Sequence, residues 1–227
     1  MSPKLEQVAI DTTALTRIAG QRGSNPGGIY EDASGQRYYV KTLESPQLAR
    51  NERIAARLYQ LAGAPTLDYV DTLAADQVAT RWLDLDKTCV AHLSDDEILQ
   101  AQRWFGVHAW TANWDVAGFN GDNQGVANGR VITLDLGGAL SFRAQGDPKG
   151  PAFGTEVHEL ERLRSDPDNP HARRLFAGMD EAALGAAIQR VVVLTDQAVC
   201  AAVLAAGGSQ KLADKLVARK AFMAARL

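Results

Sequence analysis

Lys41 closes the run Tyr38-Tyr39-Val40, and Asp135 closes the run Val131-Ile132-Thr133-Leu134. A charged group at the end of an apolar strand points at whatever lies beside the sheet, and a carboxylate there is costly unless it is paired or metal-bound. Lys41 is a candidate to neutralise phosphate charge, and Asp135, followed by Leu136-Gly137-Gly138, is a candidate to hold a divalent cation. Glu52 lies in a segment of helical spacing after Lys41. A carboxylate facing the strand from that helix would pair with the lysine ammonium. Its neighbours Arg50, Asn51 and Arg53 are polar, so the competing reading is a solvated face.

A further cluster, Asn113-Trp114-Asp115, follows an apolar helical segment that contains His108. An aspartate released from a helix end into a polar loop is well placed to accept a hydrogen bond from a hydroxyl. The loop continues through Asn120, Asp122 and Asn123. Its competing reading is plain turn chemistry. Asn123 and Asp135 stand twelve positions apart, a separation that suits a tight hairpin bringing both side chains to one metal. The stretch Gly23-Ser24-Asn25-Pro26-Gly27-Gly28 lies between two apolar pieces. Glycine there permits close approach of backbone amides to an anion, although an ordinary hairpin turn has the same composition.

The elements that must position these groups are legible in outline. Residues 14–43 read as three strands with a turn at Ser34-Gly35. Ser45-Pro46 opens a helix, with serine as N-cap and proline at the first position. Leu48, Ile54, Ala55, Leu58 and Leu61 form its apolar face, and Gly63 is its stop. PTLDYVDT and DQVATRWLD read as two more strands. Ser94, an acidic first turn and an apolar spacing predict a single helix over 94–112. GRVITLDLGGALSF reads as a buried hairpin or strand, RAQGDPKGPAFG as irregular, and the chain from Thr155 as mainly helical. Strands plus one helix, then helices plus one hairpin, predict an α+β fold with two lobes. The join is expected near Asp84 to Leu93, dividing the chain into 1–88 and 89–227 around one catalytic domain.

In that order and on those elements, the parts resemble the protein-kinase-like superfamily over residues 14 to 143. Tyr38-Tyr39-Val40-Lys41 resembles the V-A-I-K strand, and Leu134-Asp135-Leu136-Gly137 resembles D-F-G. The N-x-D loop without an H-R-D histidine looks closer to HipA-like and phosphoinositide-kinase-like members. NWDVAGFNGDN followed by LDLGGALSFRAQG also resembles a family of bacterial kinase-like proteins that includes suspected effectors and toxins. The resemblance implies ATP and Mg2+ as cofactors and transfer of a phosphoryl group to a hydroxyl of a protein or small molecule. It implies Asp115 as the catalytic aspartate, Lys41 and Glu52 as the phosphate-positioning pair, and Gly23, Ser24, Asn25, Gly27 and Gly28 as the phosphate-covering turn. Asp135 would bind metal with Asn123, in a loop three residues longer than usual, or with Asn120 at the usual spacing. There is no G-x-G-x-x-G, H-R-D or A-P-E, so activation-loop control is not implied. Transfer of AMP by the same fold and a non-catalytic binding module are the alternatives.

Several residues carry a bland expectation. Arg143 and Lys149 read as a solvated loop, His158 and His171 as surface histidines, and Trp104, Trp110 and Trp114 as core. Lys211, Lys215, Arg219, Lys220 and Arg226 read as a solvated helix face, and Cys89 and Cys200 as buried small apolar residues. Of the 227 residues, 46% are hydrophobic and 22% charged, with a net charge of -3. No global basic field draws this chain to nucleic acid. The absence of G-x-x-x-x-G-K-[ST] argues against a P-loop NTPase, and a glycine-rich segment opening a strand argues against a Rossmann domain. The N-terminus lacks the long apolar run of a secretory signal, and no stretch is long enough to span a bilayer. A cytoplasmic location, or delivery to another cell by a route needing no cleaved signal, is expected.

Overall fold

The computed structural model describes residues 9–227, so the first eight residues of the N-terminal reading lie outside it. Five antiparallel strands form one sheet in the order β1-β2-β3-β5-β4: β1 (Thr16–Ala19), β2 (Gly27–Glu31), β3 (Arg37–Thr42), β4 (Tyr69–Val70) and β5 (Gln77–Arg81). Residues 32–36 turn β2 into β3, with Asp32 Oδ1 accepting the amides of Ser34 and Gln36 and Gly35 at φ +83. On β3, Tyr38 and Val40 enter a small apolar cluster with Val70 and Ala79. Strand alternation therefore sends Tyr39 and Lys41 to the opposite face. PTLDYVDT is mostly extended loop: Tyr69–Val70 pairs with β5, and Thr66 and Thr72 make isolated bridges to Thr133 and Ile10.

Between β3 and β4 runs α1 (Pro46–Ala62). Ser45 Oγ accepts the Leu48 amide, and Gly63 ends the helix at φ +76. α1 buries more than its apolar face, because Asn51 and Glu52 are inside as well.

The chain then enters the helical part. The segment expected as a single helix is two, α2 (Asp95–Gln102) and α3 (Phe105–Trp110), with a step at Trp104. α2 starts with a capping box, Ser94 Oγ accepting the Glu97 amide and Glu97 accepting the Ser94 amide. Every residue of α3 is buried, so it runs through the core rather than over it. Gly106 permits this: a Cβ there would lie 2.2 Å from the Ala187 carbonyl oxygen.

The expected hairpin is β6 (Gln124–Ala127) and β7 (Arg130–Thr133). Asn128 and Gly129 join them, both at positive φ, the primed-turn geometry that matches strand twist. Five helices complete the chain: α4 (Glu159–Ser165), α5 (Pro170–Phe176), α6 (Glu181–Val192), α7 (Asp196–Ala205) and α8 (Gln210–Ala224). α3 and α8 pack against α6, and α7 packs against α1 and α8, so one continuous core joins α1 to the helical part. Among the described residues no single helix is long and apolar enough to cross a membrane.

Two expectations fail here. Arg219 is not on a solvated face but fully buried, paired with Glu159 at 2.8 Å and donating to the carbonyls of Ala109, Trp110, Gly154 and Glu156. It shares the buried stripe of α8 with Ala213, Leu216 and Met223. Cys89 and Cys200 are only half-buried, Cys200 against the edge of the core. Of the tryptophans, Trp110 is fully buried and donates to Leu216 O, while Trp104 and Trp114 are half-buried against the core. His158 is exposed, and His171 is half-buried.

Gly106→Ala tests the α3–α6 contact. The added methyl has backbone, not a flexible side chain, in its way, so overpacking should cost about 1–3 kcal/mol. An unfolding free energy from chemical denaturation that falls by that amount is expected.

Candidate active site

Lys41 projects from β3 into a junction of two carboxylates. Its Nζ lies 2.9 Å from Glu52 Oε1 on α1 and 3.1 Å from Asp135 Oδ2 beyond β7. Burial alone would lower the lysine, but Asp135 and then Glu52 outweigh it and hold the ammonium above its usual range. Glu52 is almost wholly buried, and burial pushes its carboxyl up against the pull of Lys41. Tyr69 donates to its Oε1 at 3.0 Å, whereas its Oε2 has no hydrogen-bond partner. Asp135 keeps 40% of its side-chain surface exposed. Burial acts to raise its carboxyl, yet the Lys41 charge and the Gly137 amide at 2.7 Å hold it below the usual value.

Asp115 stands opposite. Asn123 Nδ2 donates to its backbone oxygen at 2.7 Å and its Oδ2 at 2.9 Å. Burial first, then the Asp135 charge, raise the Asp115 carboxyl to about 6 against the Asn123 hydrogen bond. Gly138 makes room for it, because a Cβ there would lie 2.7 Å from Asp115 Cβ. Asn120 is exposed and reaches neither aspartate through a side-chain hydrogen bond. The loop between Asp115 and Asn123 turns at Gly118 and Gly121, both at positive φ.

The glycine-rich segment divides differently from the expectation. Gly23, Ser24 and Asn25 lie in the bend between β1 and β2, whereas Gly27 and Gly28 are inside β2. A Cβ on Gly27 would lie 2.6 Å from Val40 O, and one on Gly28 would lie 2.7 Å from Arg17 Nε. Those two glycines thus answer to neighbouring protein atoms, and the free bend is 20–26. Tyr39, on the Lys41 face of β3, ties this bend down by accepting the Arg22 amide at 3.0 Å.

Other residues of the site escaped the sequence reading. Asn51 clamps the chain after Asp135 to α1, donating to Ala139 O at 2.8 Å and accepting from Ser141 N at 3.1 Å. Tyr59, also on α1, bonds Asn113 and His108. His108 is neutral in that setting, because burial takes its ring down to about 3. The positions 48, 52, 55 and 59 share one helix face, so a carboxylate set in an apolar stripe was the available signal. Lys149 is the largest departure. It is not solvated but buried, its Nζ donating to Ala112 O at 2.6 Å, Gly138 O at 2.8 Å and Leu140 O at 3.0 Å. Burial takes its ammonium down to about 7 against the attraction of Glu159. Arg143 is exposed as expected, its guanidinium 5.3 Å from the centre of the Trp114 ring.

The donor set suits a hard cation. Among the described residues there is no group of three or more His, Cys, Asp or Glu of the kind that cages zinc or calcium. The Asp135 carboxylate and the Asn123 amide oxygen, which receives no hydrogen bond from any described residue, are the oxygen donors beside Lys41 and Asp115. One carboxylate and one amide match the way Mg2+ is held in nucleotide sites, with phosphates and water filling the rest.

No family model and no curated protein sequence matches this chain. Solved structures do. A proinflammatory kinase of Helicobacter pylori, CtkA, aligns over 96% of this chain and 94% of its own, with TM-score 0.60 and 12% identity. A macrolide 2'-phosphotransferase from Brachybacterium faecium aligns over 92% of each chain, with TM-score 0.39 and 11% identity. An aminoglycoside phosphotransferase from Alicyclobacillus acidocaldarius aligns over 100% of this chain and 96% of its own, with TM-score 0.35 and 14% identity. The first of these alone carries the comparison. Together with the sheet and helix order, it shows a two-lobed, protein-kinase-like α+β fold.

The environment of Asp115 makes a prediction for the metal-free, nucleotide-free protein. Its folded value, about 6, lies above the ordinary 3.8. Between those values the folded state binds more protons than the unfolded one, so stability falls as pH rises through the window. Asp115→Asn removes that loss. The variant should melt higher than the parent at pH 7.5, and the gap should close below about pH 4, where both side chains are neutral.

Proposed function

We propose that this chain is an ATP- and Mg2+-dependent phosphotransferase acting on a hydroxyl of a protein or small-molecule acceptor. The observation that carries the reading is the gathering of Lys41, Glu52, Asp135, Asn123 and Asp115, drawn from four segments of the chain, where the sheet meets the helices. The fold likeness to a bacterial kinase supports it.

The roles follow from chemistry. Lys41, fixed by Glu52, presents a fully donor group to phosphate oxygens. Asp135 and Asn123 would hold Mg2+, which supplies charge neutralisation for the phosphates. Asp115, ionised above about pH 6, accepts the hydrogen bond of the acceptor hydroxyl and orients its oxygen. Asn123 keeps that carboxylate aimed through its two hydrogen bonds. Gly23, Ser24 and Asn25 in the bend, with Gly27 and Gly28 at the start of β2, would cover the phosphates.

Asp115→Ala and Asp135→Ala separate these roles. Asp135→Ala should weaken magnesium-nucleotide binding and transfer together. Asp115→Ala should bind nucleotide nearly as well as the parent in calorimetry, yet lose transfer by about a hundred- to ten-thousand-fold. Labelled ATP with magnesium and a cell lysate reads the transfer. Normal turnover in Asp115→Ala would misplace the catalytic loop, and no nucleotide-induced rise in melting temperature in the parent would sink the reading altogether.

A further inference from the structure

We propose that Lys149 is a positioning residue that fixes the aim of Asp115 by stapling the loop before it to the loop after Asp135. Three observations converge on it. The first is stoichiometry. An ammonium has three N–H donors and no acceptor, and Lys149 Nζ is met by three backbone oxygens, those of Ala112, Gly138 and Leu140. Ala112 lies three residues before Asp115, and Gly138 and Leu140 lie three and five residues after Asp135.

The second is backbone strain at the same places. Among the described residues, three non-glycine residues have positive φ: Ala112 at 49°, Asn128 at 50° and Leu140 at 55°. Asn128 is a hairpin turn residue, where asparagine is favoured. Ala112 and Leu140 have no such excuse, since left-handed backbone is strained for a residue with a plain Cβ. Both are fully buried, and both give their carbonyls to Lys149. A strained conformation persists only where its surroundings over-determine it. A direct bond between the loops, from Leu140 N to Thr111 O at 2.7 Å, completes that restraint.

The third is how Lys149 gets there. Phe142 and Pro148 form an isolated antiparallel bridge, and Lys149 N donates to Ser141 O at 2.8 Å. The chain thus doubles back and sends Lys149 beneath the segment it has just left. Gly138, one of the three residues whose carbonyls accept from Lys149, is also the residue whose missing Cβ admits Asp115. Displacing the 138 carbonyl would move the wall against which Asp115 rests.

The experiment compares the full-length parent with Lys149→Met and Lys149→Arg, and with Lys211→Met, an exposed lysine of α8, as control. Amide hydrogen exchange is measured below the melting transition without ligands. Lys149→Met should speed exchange at least tenfold at Asn113, Trp114, Ala139 and Leu140, whose amides are all hydrogen-bonded, and leave the β2-β3-β5 amides unchanged. In transfer assays kcat should fall at least tenfold while nucleotide Kd stays within twofold. In an Asp115→Ala background the same change should cost less than twofold, because its effect passes through Asp115. Arginine keeps the charge, but its planar fork cannot donate along three converging directions, so it should not restore kcat. Unchanged exchange, a uniform rise across the helices, equal losses with and without Asp115, or full rescue by arginine would each overturn the proposal. Should the variants not fold, the parent labelled with 15N-lysine decides. A slowly exchanging Lys149 ammonium coupled to three carbonyl carbons is expected, and a freely exchanging one refutes the staple. The kinetic arm rests on the phosphotransfer reading and the exchange arm does not. A parent without transfer activity but with the exchange pattern would reject the function and keep the staple.

Discussion

One ammonium joins the parts of this molecule that chemistry would need together. Lys41 comes from the sheet, Glu52 from the helix beside it and Asp135 from the far side of the β6–β7 hairpin, and the lysine touches both acids at about hydrogen-bond distance. Neither lobe could hold its share of this group alone. Glu52 buried without Lys41 would be an uncompensated charge or a protonated acid, and breaking such a pair typically costs about 3–5 kcal/mol. Much of the remaining architecture serves the registration of these three residues. β3 is central enough to be rigid, α1 is buried on more than one side, and Asn51 ties the chain after Asp135 to the helix that carries Glu52.

The helical part repeats the same economy with carbonyl groups in place of carboxylates. α3 is short, buried and ends just before Asp115, so its last carbonyls cannot turn to water. Arg219 takes those of Ala109 and Trp110, and Lys149 takes that of Ala112. Cations at a helix C-terminus also face the favourable end of its dipole. The cost is two buried positive groups. Glu159 offsets one of them directly and accepts the indole N–H of Trp114 as well, which links the support of α3 to the residue beside Asp115.

How far the sequence reveals this depends on whether a residue's role is local. Strand ends, caps and turns are local, which is why Lys41, Asp135, the Ser45 cap and the β2–β3 turn can be read from their neighbours. Asp115 and Asn123 stand in a loop whose composition is distinctive. Glu52 and Arg219 required one further step, since each is charged but falls on the buried stripe of its helix. Lys149 gave no signal. Its loop is rich in Gly, Pro and Asp, and its partners are main-chain oxygens, which no side-chain pattern announces. Gly27 and Gly28 are ambiguous for the opposite reason. Glycine serves a close approach to any atom, and here Val40 O and the Arg17 side chain are among those atoms.

The packing of α7 against α1 has a consequence for the helix that carries Glu52. α1 is seated between the sheet and a helix from the far end of the chain, with Gly208 so close to Val203 and Ile54 that a side chain there would collide with both. Its Glu52 carboxylate meets Lys41 at 2.9 Å. A helix held from both sides leaves Glu52 little room to part from Lys41.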